Sequence, residues 1–209
     1  MADLPRITPT ENGPYRVEGL ERLLNSRGEP LATREVVYLC RCGGSQNKPF
    51  CDGTHAKIGF KGRRESRRQI SRRKSYPGRE LTIHDNRAIC AHAGFCTDSL
   101  PGVFRSGRKP WIDPDAAAAE EIAATIRRCP SGALAYALEG FEWDGDGREP
   151  AITVSKDGPY WVIGSIELVH AGPRGPSREH FALCRCGQSK NKPFCDGSHW
   201  YAGFSDPKN

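Results

Sequence analysis

The strongest constraint in this sequence is a cysteine-rich segment that occurs twice. Residues 40–55 read CRCGGSQNKPFCDGTH and residues 184–199 read CRCGQSKNKPFCDGSH, so 13 of 16 positions are identical. The similarity extends upstream, where ENGPYRVEG at 11–19 matches KDGPYWVIG at 156–164. The chain of 209 residues therefore contains two copies of one small domain, separated by a different middle segment.

Each copy has the spacing Cys-x-Cys-x8-Cys-x3-His, which supplies a complete set of four metal ligands. The eight residues are Cys40, Cys42, Cys51, His55, Cys184, Cys186, Cys195 and His199. A short apolar run precedes each first cysteine, at 36–39 and 181–183, and predicts a strand. Asp52 and Asp196 are expected to cap the short helix that carries the histidine. Spacing alone leaves the metal open, because a closed Cys3His set also suits structural zinc.

The string C-x-C-x2-S-x3-P-x-C-D-G-(S/T)-H resembles the CDGSH iron–sulfur domain family, and both copies match it completely. The resemblance covers about residues 10–62 and 150–209. Thr54 stands where the family has Ser, which keeps the hydroxyl. Family members bind a [2Fe–2S] cluster through three cysteines and one histidine, so the resemblance implies two such clusters, held by the eight residues above.

Single-motif members of this family pair as two-fold dimers, so the resemblance also implies that the two copies pair with each other within one chain. The apolar face expected at that contact includes Val17, Val162 and Ile166. The protein is then a monomer with an internal pseudo-dimer.

A histidine ligand changes the expected chemistry of such a cluster. Three thiolates and a neutral imidazole leave it one charge less negative than four thiolates, so we expect a higher reduction potential than in all-cysteine clusters. Because imidazole titrates near neutrality, mild acid is expected to bleach the visible absorption. The substitutions His55→Cys and His199→Cys are expected to protect the pocket in which they are made.

The middle segment contains the three remaining cysteines. Residues 113–129 predict one helix, with Ile122, Ile126 and Cys129 on its buried face. Residues 134–138 alternate as a strand does. Buried cysteines of this kind can also act as small apolar residues, without any metal.

The segment 80–141 resembles a divergent mono-cluster ferredoxin domain, in which Cys-x2-Cys-x2-Cys is followed at a distance by Cys-Pro. On that pattern Cys90 and Cys96 take the first and third positions and Cys129 the last. Ala93 occupies the second position and cannot bind metal.

The resemblance therefore implies a third cluster with an incomplete set of cysteine ligands. Three cysteines suit a [3Fe–4S] cluster, which we favour from sequence. A [4Fe–4S] cluster needs His92, next to the gap, or an exogenous fourth ligand.

Charge and cysteine content indicate the setting in which the chain acts. Residues 61–79 hold nine Lys or Arg against one Glu, although the whole chain has a net charge of only +6. This stretch is expected to be a solvated linker or a contact for an acidic partner protein. A nucleic-acid partner is not favoured, because Tyr76 is the one aromatic residue of the stretch that could stack on a base. No apolar run is long enough to cross a membrane and the start does not resemble a signal peptide. We therefore expect the protein to be cytoplasmic, where cysteines stay reduced and are available as metal ligands.

These observations predict an α+β chain of small β-rich modules. The expected order is a CDGSH domain at 10–62, a basic linker at 63–79, a ferredoxin-like domain at 80–141 and a second CDGSH domain at 150–209. The expected function is one-electron transfer or redox sensing with an unidentified redox partner protein.

Two other functions remain open from sequence. Iron–sulfur cluster delivery or iron storage could use the acid-labile histidine ligand, and a zinc-stabilised interaction protein could bind through the basic linker. An enzymatic role is not expected, since the chain has no dinucleotide fingerprint or nucleophile–base pair.

Overall fold

The computed structural model describes residues 4–65, 73–143, 145–169 and 179–209. Residues 66–72 of the predicted basic linker lie outside these ranges. The described strands are β1 (Arg6–Pro9), β2 (Tyr15–Glu18), β3 (Leu23–Leu24), β4 (Val36–Leu39), β5 (Lys74–Pro77), β6 (Leu81–Asp85), β7 (Leu134–Leu138), β8 (Phe141–Glu142), β9 (Ala151–Val154), β10 (Tyr160–Ile163), β11 (Glu167–Leu168) and β12 (His180–Leu183). The helices are α1 (Thr54–Lys57), α2 (Phe95–Ser99) and α3 (Ala119–Arg127), with a 3-10 turn at Ser198–Trp200.

The described elements form three four-stranded sheets, and the chain is α+β with β-rich modules, as predicted. None of the helices in the described ranges is long and apolar enough to cross a bilayer. The apolar runs that precede the first cysteine of each copy lie in β4 and β12, as their sequence predicts.

The sheets of the two repeated domains exchange a strand. The first sheet has the order β11-β1-β2-β4 and the second has the order β12-β10-β9-β3. Ile7 of β1 lies opposite Leu168 of β11, and Leu23 of β3 lies opposite Ile152 of β9. Each sheet therefore contains three strands from one repeat and one strand from the other.

The two repeats also share one apolar core. Alternate residues of β2 and β10 point into it, so that Tyr15 and Tyr160 are fully buried. Val17, Val162 and Ile166, the residues expected on a common face, all belong to this core. Apolar burial across the contact is the main force that holds the repeats together.

Polar contacts between the repeats are reciprocal. The Tyr15 hydroxyl donates to the Cys184 and Pro193 carbonyls at 2.9 Å, and the Tyr160 hydroxyl donates to the Cys40 carbonyl at 2.9 Å. The two Cys-x-Cys loops also lie in close contact, because a Cβ placed on Gly43 would lie only 2.6 Å from the Cys186 carbonyl oxygen. Only glycine fits at that contact.

The third sheet, β5-β6-β7-β8, belongs to the middle segment and packs against α3. Strand β7 spans residues 134–138 as predicted. Ile122 and Ile126 of α3 are fully buried, which also agrees with the predicted helix face.

The predicted helix over 113–129 is too long, because α3 begins only at Ala119. Hydrogen bonds outside the helix hold the residues before it. The Asp113 N–H donates to the Val103 carbonyl at 2.9 Å, and the Asp115 carboxylate accepts from the Arg79 N–H at 2.8 Å. Cys129 lies just after the helix and is partly buried between both cores.

Candidate metal centres

The first repeat brings its three cysteines and its histidine together at the ends of β4 and α1. Cys40 follows β4, and its N–H donates to the Pro49 carbonyl at 2.7 Å. The Sγ atoms of Cys40 and Cys42 are 3.8 Å apart. Cys51 Sγ lies 3.3 Å from Nδ1 of His55. The four side chains therefore form two close pairs.

The second repeat has the same arrangement. The Sγ atoms of Cys184 and Cys186 are 3.8 Å apart, and Cys195 Sγ lies 3.4 Å from Nδ1 of His199. Backbone N–H groups point at two of these sulfurs, from Gln188 to Cys186 at 3.4 Å and from Gly197 to Cys195 at 3.5 Å. Such donors stabilise a thiolate ligand.

The distances within the ligand pairs indicate which kind of metal group these residues fit. Two sulfurs bound about 2.3 Å from one tetrahedral metal lie about 3.8 Å apart, which is the separation of both thiol pairs. Among the described residues, no three His, Cys, Asp or Glu side chains converge on a single ion position. Each pocket therefore fits a group with two metals, each taking two protein ligands.

The thiols of each Cys-x-Cys pair are within hydrogen-bond distance of each other. This hydrogen bond lowers the pKa of Cys40 in the first repeat and of Cys186 in the second, and raises the pKa of the other thiol of each pair. One sulfur of each pair is thus close to its ligand form, and metal binding releases the proton that the other sulfur keeps.

The loop after the third cysteine differs from the prediction by one position. The residue that caps α1 is Gly53, with φ of 85°, and not Asp52. Glycine takes this left-handed conformation without strain. The Asp52 carboxylate still accepts from the Thr54 N–H at 3.0 Å, and it also accepts from the Gln46 N–H at 2.8 Å. Together these bonds hold the pKa of the Asp52 carboxyl well below its usual range, and the bond from Gln46 contributes most. The second repeat does the same with Asp196, Gly197, Ser198 and Lys190.

The three cysteines of the middle segment line one cavity of about 290 Å³. The pKa of Cys96 is raised to about 11, mainly because the thiol is buried and to a smaller extent because the thiolates of Cys129 and Cys90 lie nearby. The three cysteines that the sequence pattern singles out therefore lie around the same cavity. His92 and Ala93 also line the cavity.

Arg87 supplies a positive charge to this cavity. Its Nη2 atom is buried there and has no hydrogen-bond partner within the described part of the chain. Its Nε donates to Asp85 at 2.9 Å, and its guanidinium lies 4.1 Å from the centroid of the Trp111 ring. Burial opposes its charge, but the Cys90 and Asp85 anions raise the pKa of the guanidinium overall. A fixed cation with a spare donor beside three thiols fits a bound anionic group.

Arg87, Tyr15 and Tyr160 are functional residues that the sequence motifs do not predict. The two tyrosines occupy the same position of the repeat, in GPYRV and GPYWV, and that identity is a usable signal. Nothing in the sequence around Arg87 distinguishes it from other arginines of the chain.

Comparison with protein families agrees with this arrangement. The family described as "Iron-binding zinc finger CDGSH type" matches residues 12–56 and 157–200, and the family described as "Divergent 4Fe-4S mono-cluster" matches residues 76–139. The chain therefore belongs to the CDGSH iron-binding proteins and carries a divergent 4Fe-4S mono-cluster domain, called the central module below, between its two CDGSH domains.

Curated relatives cover one part of the chain. The "Uncharacterized protein YjdI" of Escherichia coli strain K12 is 41% identical over 61 residues, which make up 29% of this chain and 80% of that protein. The protein of the same description from Escherichia coli O157:H7 matches equally. The present chain is similar to these proteins over that length.

Proposed function

We propose that the protein transfers single electrons, or senses redox state, through two [2Fe–2S] clusters in its CDGSH pockets and a third cluster in the central cavity. The observation that carries this proposal is the grouping of each Cys3His set into two ligand pairs. When bound, such clusters supply a reversible one-electron couple. The two thiol pairs and the Cys51–His55 and Cys195–His199 pairs would hold the metals, and backbone N–H groups would stabilise the sulfurs.

The central cavity offers Cys90, Cys96 and Cys129 as ligands. Three thiols favour a [3Fe–4S] cluster, whereas the description of the matching family favours a [4Fe–4S] cluster. In the second case His92, which lines the cavity, is the protein's own candidate for the fourth position. Arg87 would donate a hydrogen bond to either cluster.

We further propose that the two CDGSH domains act as an intramolecular pseudo-dimer in a monomeric protein. The exchange of β3 and β11, the shared core and the reciprocal tyrosine contacts support this. A cytoplasmic setting is in keeping with nine cysteines that are all free, and the basic stretch at 61–79 favours an acidic partner protein.

The test is iron, zinc and acid-labile sulfide analysis of anaerobically purified protein, followed by electron paramagnetic resonance. We expect iron and sulfide in comparable amounts, [2Fe–2S] signals after reduction, and a central-cluster signal before reduction for [3Fe–4S] or after it for [4Fe–4S]. One zinc ion in each pocket without sulfide would contradict the proposal and favour the zinc-stabilised interaction protein.

A second candidate function is delivery of a cluster to another protein. It is favoured by the first pocket, where Cys51 and His55 are only partly buried. Transfer of intact cluster to an apo-acceptor protein, followed by its absorption, separates delivery from electron transfer.

A further inference from the structure

The two CDGSH pockets differ in their surroundings, although their motifs are nearly identical. A Cβ placed on Gly197 would lie 2.9 Å from Cδ2 of His92, whereas a Cβ on Gly53 meets no described atom within 4 Å. Cys195 is 2% exposed and His199 is 6% exposed. Cys51 and His55 are only partly buried. Within the described chain, the central module thus covers the second pocket and leaves the first open.

The cover over the second pocket is a packed contact. The rings of Phe95 and Trp161 meet edge to face, with centroids 5.9 Å apart. Ala91 of the central module packs in one apolar cluster with Ala182 and Cys195. The Asn191 side-chain amide donates to the Ala88 carbonyl.

The basic segment before the central module adds polar contacts on the same side. Arg64 Nε donates to the Asn191 side chain at 2.7 Å, and the Glu65 N–H donates to the Lys190 carbonyl at 2.8 Å. The segment that leaves the first repeat therefore lies along the second pocket.

The repeats differ in sequence where this contact is made. Trp161 and Ala182 face each other across β10 and β12, and the equivalent residues of the first repeat are Arg16 and Tyr38, which face each other across β2 and β4. Ala182 is 1% exposed under the central module, whereas Tyr38 is 47% exposed. A bulky tyrosine at position 182 would occupy the space that Ala91 fills.

We infer that the two pockets are not equivalent: the first is the site from which bound iron and sulfide pass to an external ligand, and the second is sealed by the central module. This inference rests on the proposed iron–sulfur function. Release would be a ligand substitution with no change in the oxidation state of iron: the bonds from the exposed pair, Cys51 and His55, break first and those from Cys40 and Cys42 follow, while bonds to the incoming ligand form. The freed thiolates take up protons, and the sulfide leaves with the iron or, when a chelator takes only the iron, as hydrogen sulfide. An incoming ligand must reach the metal, and the surrounding shell controls that access.

The first experiment measures release from each pocket of the full chain separately. The variant Cys186→Ser/Cys195→Ser keeps only the first CDGSH pocket, and Cys42→Ser/Cys51→Ser keeps only the second. With excess EDTA, we expect the absorption of the first pocket to decay about tenfold faster, or more, than that of the second. Equal rates, or faster loss from the second pocket, would overturn the inference.

Where a double variant does not fold, the wild-type protein serves instead. Beside any loss from the central cluster, its absorption is expected to decay in two phases that belong to the CDGSH pockets, with His55→Cys changing the spectrum of the faster of these and His199→Cys that of the slower. A single phase, or the opposite assignment, would count against the inference. A protein that binds no iron and sulfide refutes the proposed function itself, whereas two loaded pockets with equal rates refute only the inequivalence.

The second experiment tests whether the cover is responsible. Phe95→Ala, in the protein that keeps only the second pocket, removes the contact with Trp161 and is expected to speed release several-fold. Trp161→Arg should act in the same direction. The matched control is Arg16→Trp at the equivalent position of the first repeat, in the protein that keeps only the first pocket, and it should not change the rate. An unchanged rate in Phe95→Ala would show that the central module does not seal the pocket.

Discussion

At the scale of single residues, each CDGSH domain supports the pocket of the other. Tyr15 comes from the first repeat but donates its hydrogen bonds to the carbonyls of Cys184 and Pro193 in the second. Tyr160 does the reverse for Cys40 and Pro49. Both hydroxyls are buried, so water cannot replace them when they are removed.

We therefore predict that Tyr15→Phe weakens the second pocket and not the first. The buried Cys184 carbonyl loses its donor, which costs about 1 to 3 kcal/mol, whereas the Pro193 carbonyl keeps the bond from the Cys184 N–H. The check is the release of iron from each pocket in the presence of a chelator. Tyr160→Phe is the matched control and should weaken the first pocket. The reciprocal contact would be contradicted if Tyr15→Phe sped up release only from the first pocket, or if Tyr160→Phe sped it up only from the second.

Of the described residues that line the central cavity, Arg87 is the one with a guanidinium or ammonium group. Replacing it with Gln removes the cation that faces Cys90, so we expect about 10-fold to 100-fold weaker retention of the proposed central cluster and a lower reduction potential. Iron content and a redox titration followed by electron paramagnetic resonance measure both effects. Arg79→Gln is the control, because the side chain of Arg79 is 81% exposed. An unchanged potential and iron content in Arg87→Gln would exclude this role.

At the scale of elements, a buried ion pair fixes the segment that follows the second pocket. Arg185 pairs with Asp206, and both side chains are at most 2% exposed. Arg185 also donates to the Ser155 and Gly158 carbonyls at 2.9 and 2.8 Å. In the first repeat the equivalent arginine, Arg41, bonds to the Gly62 carbonyl instead.

We predict that Asp206→Ala lowers the free energy of unfolding by about 3 to 5 kcal/mol, because it leaves a buried guanidinium without its anion. Glu167→Ala is the control: its pair with Arg6 is about half exposed, so we expect a loss of less than about 1 kcal/mol. Chemical denaturation followed by circular dichroism compares the two. Similar losses for both variants would mean that Asp206 is not the anion on which Arg185 depends.

The elements also show how far sequence reasoning reaches. The apolar runs before the cysteines were long enough to predict β4 and β12, and the repeat was enough to group the eight Cys and His residues into two pockets. Strands β3 and β11 have two residues each, which carry no periodic signal, and their partners are distant in sequence. Helix α3 begins later than the sequence predicts, because Asp113 and Asp115 bond to loops that only the folded chain brings near.

At the scale of the whole molecule, the exchange of β3 and β11 makes each CDGSH domain incomplete alone. A chain that ends after residue 143 lacks the partner strand of β3 and half of the common core. Its own β1 and β3 could supply the missing strands to a second copy, because Ile7 and Leu23 occupy the same repeat positions as Ile152 and Leu168.

We therefore predict that the chain of residues 1–143 is folded only as a dimer, whereas the full chain is monomeric. Sedimentation at several protein concentrations, with circular dichroism on the same samples, measures both properties. A folded monomer of residues 1–143 would contradict the prediction.

The cover over one pocket is possible because the two repeats belong to one polypeptide. In a two-fold homodimer every substitution appears on both faces, so a residue that suits one neighbour is imposed on the opposite side as well. Covalent fusion removes that constraint and lets position 38 keep a tyrosine while position 182 keeps an alanine. One of the two equivalent surfaces can then hold an internal domain while the other stays free to meet other molecules.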